Sequence, residues 1–257
     1  MEFENSFGAN FVQKLRGREV RNSLVFLEGT EDPHIVYPVG KHIGIRNINT
    51  NSMKFIRQPD EVKEIISLTI STGGMRRYLA SVERQVHNNC LWVSIHDLKN
   101  VAAAQSKAPK TFNLSEIAFG SGSKYGARNL GGGHGGDGHG HGAKPQQQLG
   151  LPVGLFGLEK EKPDPAQKTI ASLAFSQDNK HLAFVITDMY PELKNTIETR
   201  VVIYEWHSKQ KVMAMSDLDY AINKITFNPK DWQQLSTSGP GHWKIWRVQE
   251  GGLKQLP

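Results

Sequence analysis

The chain has 257 residues, 38% hydrophobic and 22% charged, with a formal net charge of +6 and an isoelectric point near 9.3. That length holds one large or two small domains. A mean hydropathy of −0.47, no apolar run long enough for a bilayer and an acidic, apolar-poor start argue against a membrane span or a secretory signal, and the single Cys90 cannot form an internal disulfide, as suits a reducing compartment.

Residues 1–21 read as a loosely attached arm carrying Lys14, Arg16, Arg18 and Arg21. Four short apolar runs follow, Ser23–Leu27, Ile35–Val39, Ile43–Ile48 and Met53–Ile56, with a turn at Pro38-Val39-Gly40-Lys41 where glycine supplies a positive φ. Gln58-Pro59-Asp60-Glu61 crosses to a second group: Ser67–Ser71, a run around Leu79, Leu91–Ile95 and Val101–Ala104. Its hairpins are Thr72-Gly73-Gly74 and His87-Asn88-Asn89. Residues 105–167 break the pattern, because a tract such as GSGSKYGARNLGGGHGGDGHGHGAK lacks the apolar content to offset chain entropy. They are expected to form a long disordered insertion, with apolar patches at Phe112–Phe119 and Leu151–Leu158 able to dock. A third group holds Ser172–Ser176, Leu182–Thr187, Arg200–Trp206 and Lys211–Met215, with the loop Asp188–Glu198 stopped as a strand by Pro191. The last group holds Lys224–Asn228, a run around Leu235, Trp243–Val248 and Leu253–Leu256.

The groups are copies of one unit. SLTIS, SLAFS and KITFN align position for position, making Leu68, Leu173 and Ile225 equivalent, and likewise Ile70, Phe175 and Phe227. One four-stranded sheet cannot bury both faces alone, so repeated sheets must stack, each covering the apolar flank of the next. The fold class is therefore all-β, a partial β-propeller of about four blades. Its predicted layout is an arm at 1–21, blades 1 and 2 at 22–104, the Gly/His-rich insertion at 105–167, and blades 3 and 4 at 168–257. An open arc of this kind is expected to leave apolar faces at both ends. Trp92, Trp206, Trp243 and Trp246 fall on third strands and are assigned to packing between blades.

The chemistry-bearing motifs are sparse. His134, His139, His141 and Asp137 supply metal-type ligands, but a glycine tract cannot pre-organise them, so no metal is expected. Gly120-Ser121-Gly122 with Gly126 has the wrong spacing for a dinucleotide loop, so no cofactor is expected either. No HExxH, GxSxG, CxxC or P-loop pattern occurs, and catalytic residues are expected to be absent. Two alternatives stand beside a binding role: an enzyme with its site in the propeller channel, and a nucleic-acid binder. The latter rests on charge alone, without a basic helix or an RNP-type aromatic motif. Protein partners are expected instead, with no nucleic acid and no membrane. The residues assigned to partner binding are Lys14, Arg16, Arg18 and Arg21 on the arm, Tyr190 and Pro191 in the loop of the third group, and Trp232, read as lying in a turn of the last group, with Pro229 and Asp231 beside it. The Gly/His insertion is a further contact segment.

The blades resemble degenerate WD repeats. Gly-His does not precede a first strand, and the late Trp-Asp position reads Trp206-His207 or Trp246-Arg247, which puts the hydrogen-bonded Asp/His tetrad of regular repeats in doubt. More specific wording comes from Tyr204-Glu205-Trp206 followed by KQKVMA, ITFNP with Asp231, and EGGLKQ near the chain's end. With Val36–His42 and Arg77–Ala80 upstream, this arrangement resembles the cilia- and flagella-associated WD-repeat proteins of the axoneme. The resemblance implies a scaffold whose propellers precede a long coiled coil and which helps place inner dynein arms and regulatory complexes on doublet microtubules. It implies axonemal partners, inner dynein arm or regulatory complex subunits and tubulin among them, and a further propeller segment or partner chain to complete the ring.

Overall fold

Four four-stranded antiparallel sheets follow one another along the chain in a computed structural model that describes residues 24–27, 33–71, 73–74, 78–99, 108–120, 168–188 and 198–257. Blade 1 is β1 (Val25–Leu27), β2 (His34–Val39), β3 (His42–Asn47) and β4 (Met53–Ile56). Blade 2 is β5 (Val62–Ile70), β6 (Tyr78–Gln85), β7 (Leu91–Asp97) and β8 (Lys110–Asn113). Blade 3 is β9 (Lys168–Phe175), β10 (His181–Asp188), β11 (Thr199–Glu205) and β12 (Lys211–Leu218). Blade 4 is β13 (Lys224–Asn228), β14 (Asp231–Gly239), β15 (His242–Gln249) and β16 (Gly252–Gln255). Each sheet keeps its strands in chain order. The first strands β1, β5, β9 and β13 pack side by side in that sequence, and the outer strands β12 and β16 also meet, bridged in parallel at Ala214 and Gly251. Sheets sharing an inner edge and fanning outward are the blades of a propeller, here an arc of them.

The period-two pattern explains the stacking. On β10, Leu182, Phe184 and Ile186 point into the core shared with blade 2, and Ala183 and Val185 into the core shared with blade 4. On β11, Val202 and Tyr204 take the first side and Val201 and Ile203 the second. Blade 3 is therefore buried on both faces, which accounts for its nearly continuous apolar strands. A third core, with Val36, Ile43, Ile45, Ile65, Leu68, Ile70 and Leu79, joins blades 1 and 2.

The fourth strand of blade 2 departs from the expected order. It is Lys110–Asn113, pairing with β7 through Ile95↔Lys110 to Trp92↔Asn113, where Val101–Ala104 was the predicted strand. The helix α1 (Leu114–Phe119) follows at once, capped by the Asn113 side chain, which accepts from the Glu116 N–H at 3.0 Å. Leu114 and Ala118, four residues apart and so on one helix face, enter the core between blades 2 and 3. The Phe112–Phe119 patch thus docks on its own propeller. Positions 101–107, and Leu151–Leu158 with the His tract, lie outside the described residues.

The joint between blades 1 and 2 is the polar one. Glu83, Ser81, Ser94 and His96 are buried there, and the Ser81 and Ser94 hydroxyls donate to the Glu83 carboxyl at 2.7 and 3.0 Å. Burial pushes the Glu83 carboxyl up, against those two hydrogen bonds. Burial pushes the His96 imidazole down to about 4. An unfolded chain binds the His96 proton at its ordinary value near 6.5, so stability is complete above that pH and drains away as pH falls toward 4. The cost at the acid end is about 3 kcal/mol. Glu83 acts oppositely, its contribution falling as pH rises past 4.5. Urea unfolding as a function of pH should show the acid-side loss, and His96→Leu should flatten it.

Candidate interaction surfaces

Blades 2 and 3 are fastened by charge as well as by packing. Arg84, its side chain only 4% exposed, donates from Nε to Glu64 at 3.0 Å, and from its two terminal nitrogens to the carbonyls of Asn89 at 3.1 Å and Lys168 at 3.2 Å. Lys168 lies equally deep, and its ammonium donates to Asp188 at 2.7 Å and Glu198 at 3.0 Å. Asp188 also accepts the Glu198 N–H at 3.2 Å. These two acids flank the 189–197 loop, so the network fixes both roots of the segment that carries Tyr190 and Pro191. Those two residues, and Lys14, Arg16, Arg18 and Arg21, lie outside the described residues.

The hairpins joining first to second strands line one rim of the arc and latch across blades. Asn179, held at φ 58° in the turn of blade 3, donates to the Gly73 carbonyl of blade 2 at 3.1 Å. A Cβ on Gly73 would stand 1.8 Å from the Gln177 carbonyl oxygen, so only glycine permits this approach. In the same turn the Ser176 hydroxyl donates to Asp178 and accepts the His181 N–H at 3.0 Å, while the His181 ring lies 3.4 Å from Asp178. This local lock stands in for the WD tetrad that the sequence puts in doubt. Ser, His and Asp meet here, but the hydroxyl is buried and committed to the carboxylate rather than to the imidazole, so the trio fastens a turn. His181 then stacks on Trp232 of blade 4, with ring centroids 3.8 Å apart and planes 9° from parallel. Trp232 is therefore half-buried at the joint of blades 3 and 4, at the second residue of β14 rather than in a turn.

Three of the rim's acids are engaged by hydrogen bonds from the protein itself. Burial works to raise the Asp178 carboxyl, and the Ser176 hydroxyl, the Lys180 N–H and His181 outweigh it, leaving it below the ordinary carboxylate range. Burial opposes Glu205 in the same way. The Ser208 and Lys209 N–H groups with the Ser208 hydroxyl outweigh it and hold the carboxyl low. Asp231 accepts from Arg247 at 2.7 Å and from the Gln233 N–H at 2.9 Å. The lysines of the same rim, Lys180, Lys209, Lys211 and Lys230, are all exposed.

The two ends of the arc differ. On the outward face of blade 1, the register aligns Phe26, Ile35, Arg46 and Met53 in one row and Tyr37, Gly44 and Phe55 in the next. Met53 is 41% and Phe55 51% exposed, with Leu24 exposed beside them. On blade 4 the outward rows are Thr226–Ser236–Ile245, Lys224–Ser238–Trp243 and Gln234–Arg247–Lys254. That face is polar except for Ile245 and the 65% exposed Trp243. The expectation of apolar faces at both ends is corrected: the alternation of KITFN and WKIWRV sends Ile225, Phe227 and Trp246 inward and Lys224, Thr226 and Arg247 outward. Trp243 is corrected with it, since it packs outward, whereas Trp246 is buried and donates from Nε1 to Thr237 at 2.8 Å.

Among the described residues no helix is long and apolar enough to cross a membrane, and no group of three His, Cys, Asp or Glu is placed to hold a metal ion. No known family's sequence profile matches the chain. Over 240 residues, 92% of its length, it is 25% identical to cilia- and flagella-associated protein 57 of Mus musculus. The chain is similar to that protein over nearly all of itself. It spans only 14% of the relative's length. A stretch of 85 residues, 33% of the chain, is 31% identical to cilia- and flagella-associated protein 44 of Mus musculus and covers 4% of it. Among solved structures, the β-propeller domain of Myceliophteria thermophila Cps50 (Swd1) is 10% identical, with 91% of this chain and 70% of that one covered at a TM-score of 0.40. Pyrococcus horikoshii acylaminoacyl peptidase is 12% identical over 91% of this chain and 32% of that one, with a TM-score of 0.45.

Sequence reasoning missed Arg84, Lys168 and His181 as the fasteners of the arc. The SQDNKH turn was legible as a turn, but its partners Gly73 and Trp232 come from other blades, and no local spacing records that.

Proposed function

We propose that this chain is a protein-binding scaffold segment of the cilium or flagellum, with no reaction of its own, that helps anchor inner dynein arms and regulatory complexes on the doublet microtubules of the axoneme. The similarity to cilia- and flagella-associated protein 57 supports the setting. The observation that carries the scaffold reading is the apolar outward face of blade 1, with Met53 and Phe55 exposed and Leu24 exposed beside them, on a sheet whose other face packs against blade 2. Its occupant is a further propeller blade. Blade-on-blade packing is how every other apolar sheet face of this arc is covered, and the chain spans about one-seventh of the length of its relative, which leaves ample polypeptide to supply one. Inner dynein arm or regulatory complex subunits and tubulin are the partners of the assembled unit.

The test is retention. A tagged chain expressed in ciliated cells should remain with axonemes after detergent extraction and leave with the inner-arm fraction at high salt. The pair Met53→Glu and Phe55→Glu, both at exposed positions, should lose that retention with an unchanged circular dichroism spectrum. Equal release of the unaltered chain and the double variant into the detergent-soluble fraction would sink the reading.

A further inference from the structure

We infer that the hairpin rim of blades 3 and 4 binds an acidic peptide segment, one rich in aspartate and glutamate. The inference uses a different surface from the apolar end of blade 1, and it stands or falls separately. Four ammonium groups, Lys180, Lys209, Lys211 and Lys230, are exposed along this edge. Four carboxylates lie on the same edge: three of them accept hydrogen bonds from their own turns or neighbours, and the fourth, Glu250 in the β15–β16 turn, is exposed. Asp178 serves Ser176, Lys180 and His181, Glu205 serves the 208–209 turn, and Asp231 serves Arg247 and Gln233. Three of the acids thus secure turns, while four ammoniums face solvent beside the one exposed turn carboxylate of Glu250, so the rim presents an excess of positive charge although its composition is mixed. Blade 2 continues the edge with Lys99, which is exposed, and Lys110, which donates to the His207 carbonyl at 2.8 Å and so ties the blade 3 turn to it.

Spacing and chemistry favour carboxylates as the ligand. Lys180 precedes β10 and Lys211 opens β12, two strands across the same sheet, hence about 10 Å apart. That is close to the Debye length at physiological salt, so neighbouring ammoniums act jointly on one bound chain. Each lysine is a compact point charge that pairs with one carboxylate, without the planar fork that arginine offers to phosphate. Arg247, the arginine of this edge among the described residues, is already paired with Asp231. Single-stranded nucleic acid needs open aromatic platforms. The indole rings here are Trp206, 2% exposed, and Trp232, with one face closed by His181, and the exposed His207 ring meets the Trp206 ring edge-on.

Fluorescence anisotropy with three labelled probes tests the inference: a dodecaglutamate peptide, a dodecaglutamine peptide and a twelve-base oligothymidylate. The glutamate peptide should bind at least about tenfold more tightly than either of the others and weaken between about 50 and 300 mM NaCl. The triple variant Lys180→Glu, Lys209→Glu, Lys230→Glu should weaken it by about tenfold or more. A variant of equal charge change placed elsewhere, Lys54→Glu, Lys63→Glu, Lys224→Glu, should stay within about twofold. Circular dichroism confirms that both variants are folded. Oligothymidylate binding as tight as that of the glutamate peptide, or equal losses in the two triple variants, would overturn the inference.

Discussion

Arg84→Ala should lower the unfolding free energy by about 3–5 kcal/mol, the range for breaking a buried charge pair by removing one partner. The guanidinium reaches three acceptors at once: the Glu64 carboxylate of its own blade, the Asn89 carbonyl of the next hairpin, and the Lys168 carbonyl at the start of blade 3. Truncation leaves a mostly buried carboxylate, 21% exposed, and two carbonyls without their donor. Arg84→Lys should recover only part of the loss, because a single ammonium cannot serve three directions. Denaturant unfolding gives the energies. Hydrogen exchange locates them, with β9 amides expected to lose protection before those of β13. A loss below about 1 kcal/mol for the alanine variant would mean that the joint is held by its apolar contacts alone.

Trp206 gives the second large effect and a sharper contrast. Its ring meets Tyr78 of blade 2 edge-on at 5.0 Å and Phe175 of its own blade at 6.0 Å, and the Lys110 ammonium stands 5.5 Å from its centroid. Trp206→Ala opens a cavity at that crossing and should cost about 3–5 kcal/mol. The indole N–H, however, has no hydrogen-bond partner among the described residues. Trp206→Phe gives up part of that volume but no hydrogen bond and should cost clearly less than the alanine variant, about 1–3 kcal/mol. Had the N–H been paired, as in Trp246 with Thr237, the phenylalanine variant would orphan a buried acceptor and cost more. Running both substitutions at Trp246 supplies that comparison within one protein.

The strands were legible where the repeat was clean. Met53–Ile56 and Lys224–Asn228 are strands with the bounds expected of them, because alternation and flanking turns coincide there. The all-β arc followed from the match among SLTIS, SLAFS and KITFN, since equivalent positions must bury equivalent side chains. Blade 2 misled because VAAA is more apolar than KTFN, and strand pairing obeys the neighbouring ladder rather than local hydropathy. The end faces were misread for a related reason. Period two tells which residues share a face, but not whether a neighbour lies on that side. Of the residues assigned to partner binding, Trp232, Pro229 and Asp231 are described, and Trp232 lies in an inter-blade joint. The lysine rim escaped notice because its positions are dispersed in sequence from Lys180 to Lys230 and converge only through the hairpins.

The contrast between the greasy flank of blade 1 and the hydrophilic flank of blade 4 gives the arc a direction. Copies of this chain cannot add end to end indefinitely, since each junction would bury a Ser/Thr/Gln ladder against phenylalanine and methionine. A head-to-tail junction between two copies would therefore set polar surface against apolar surface, which disfavours open-ended filament growth.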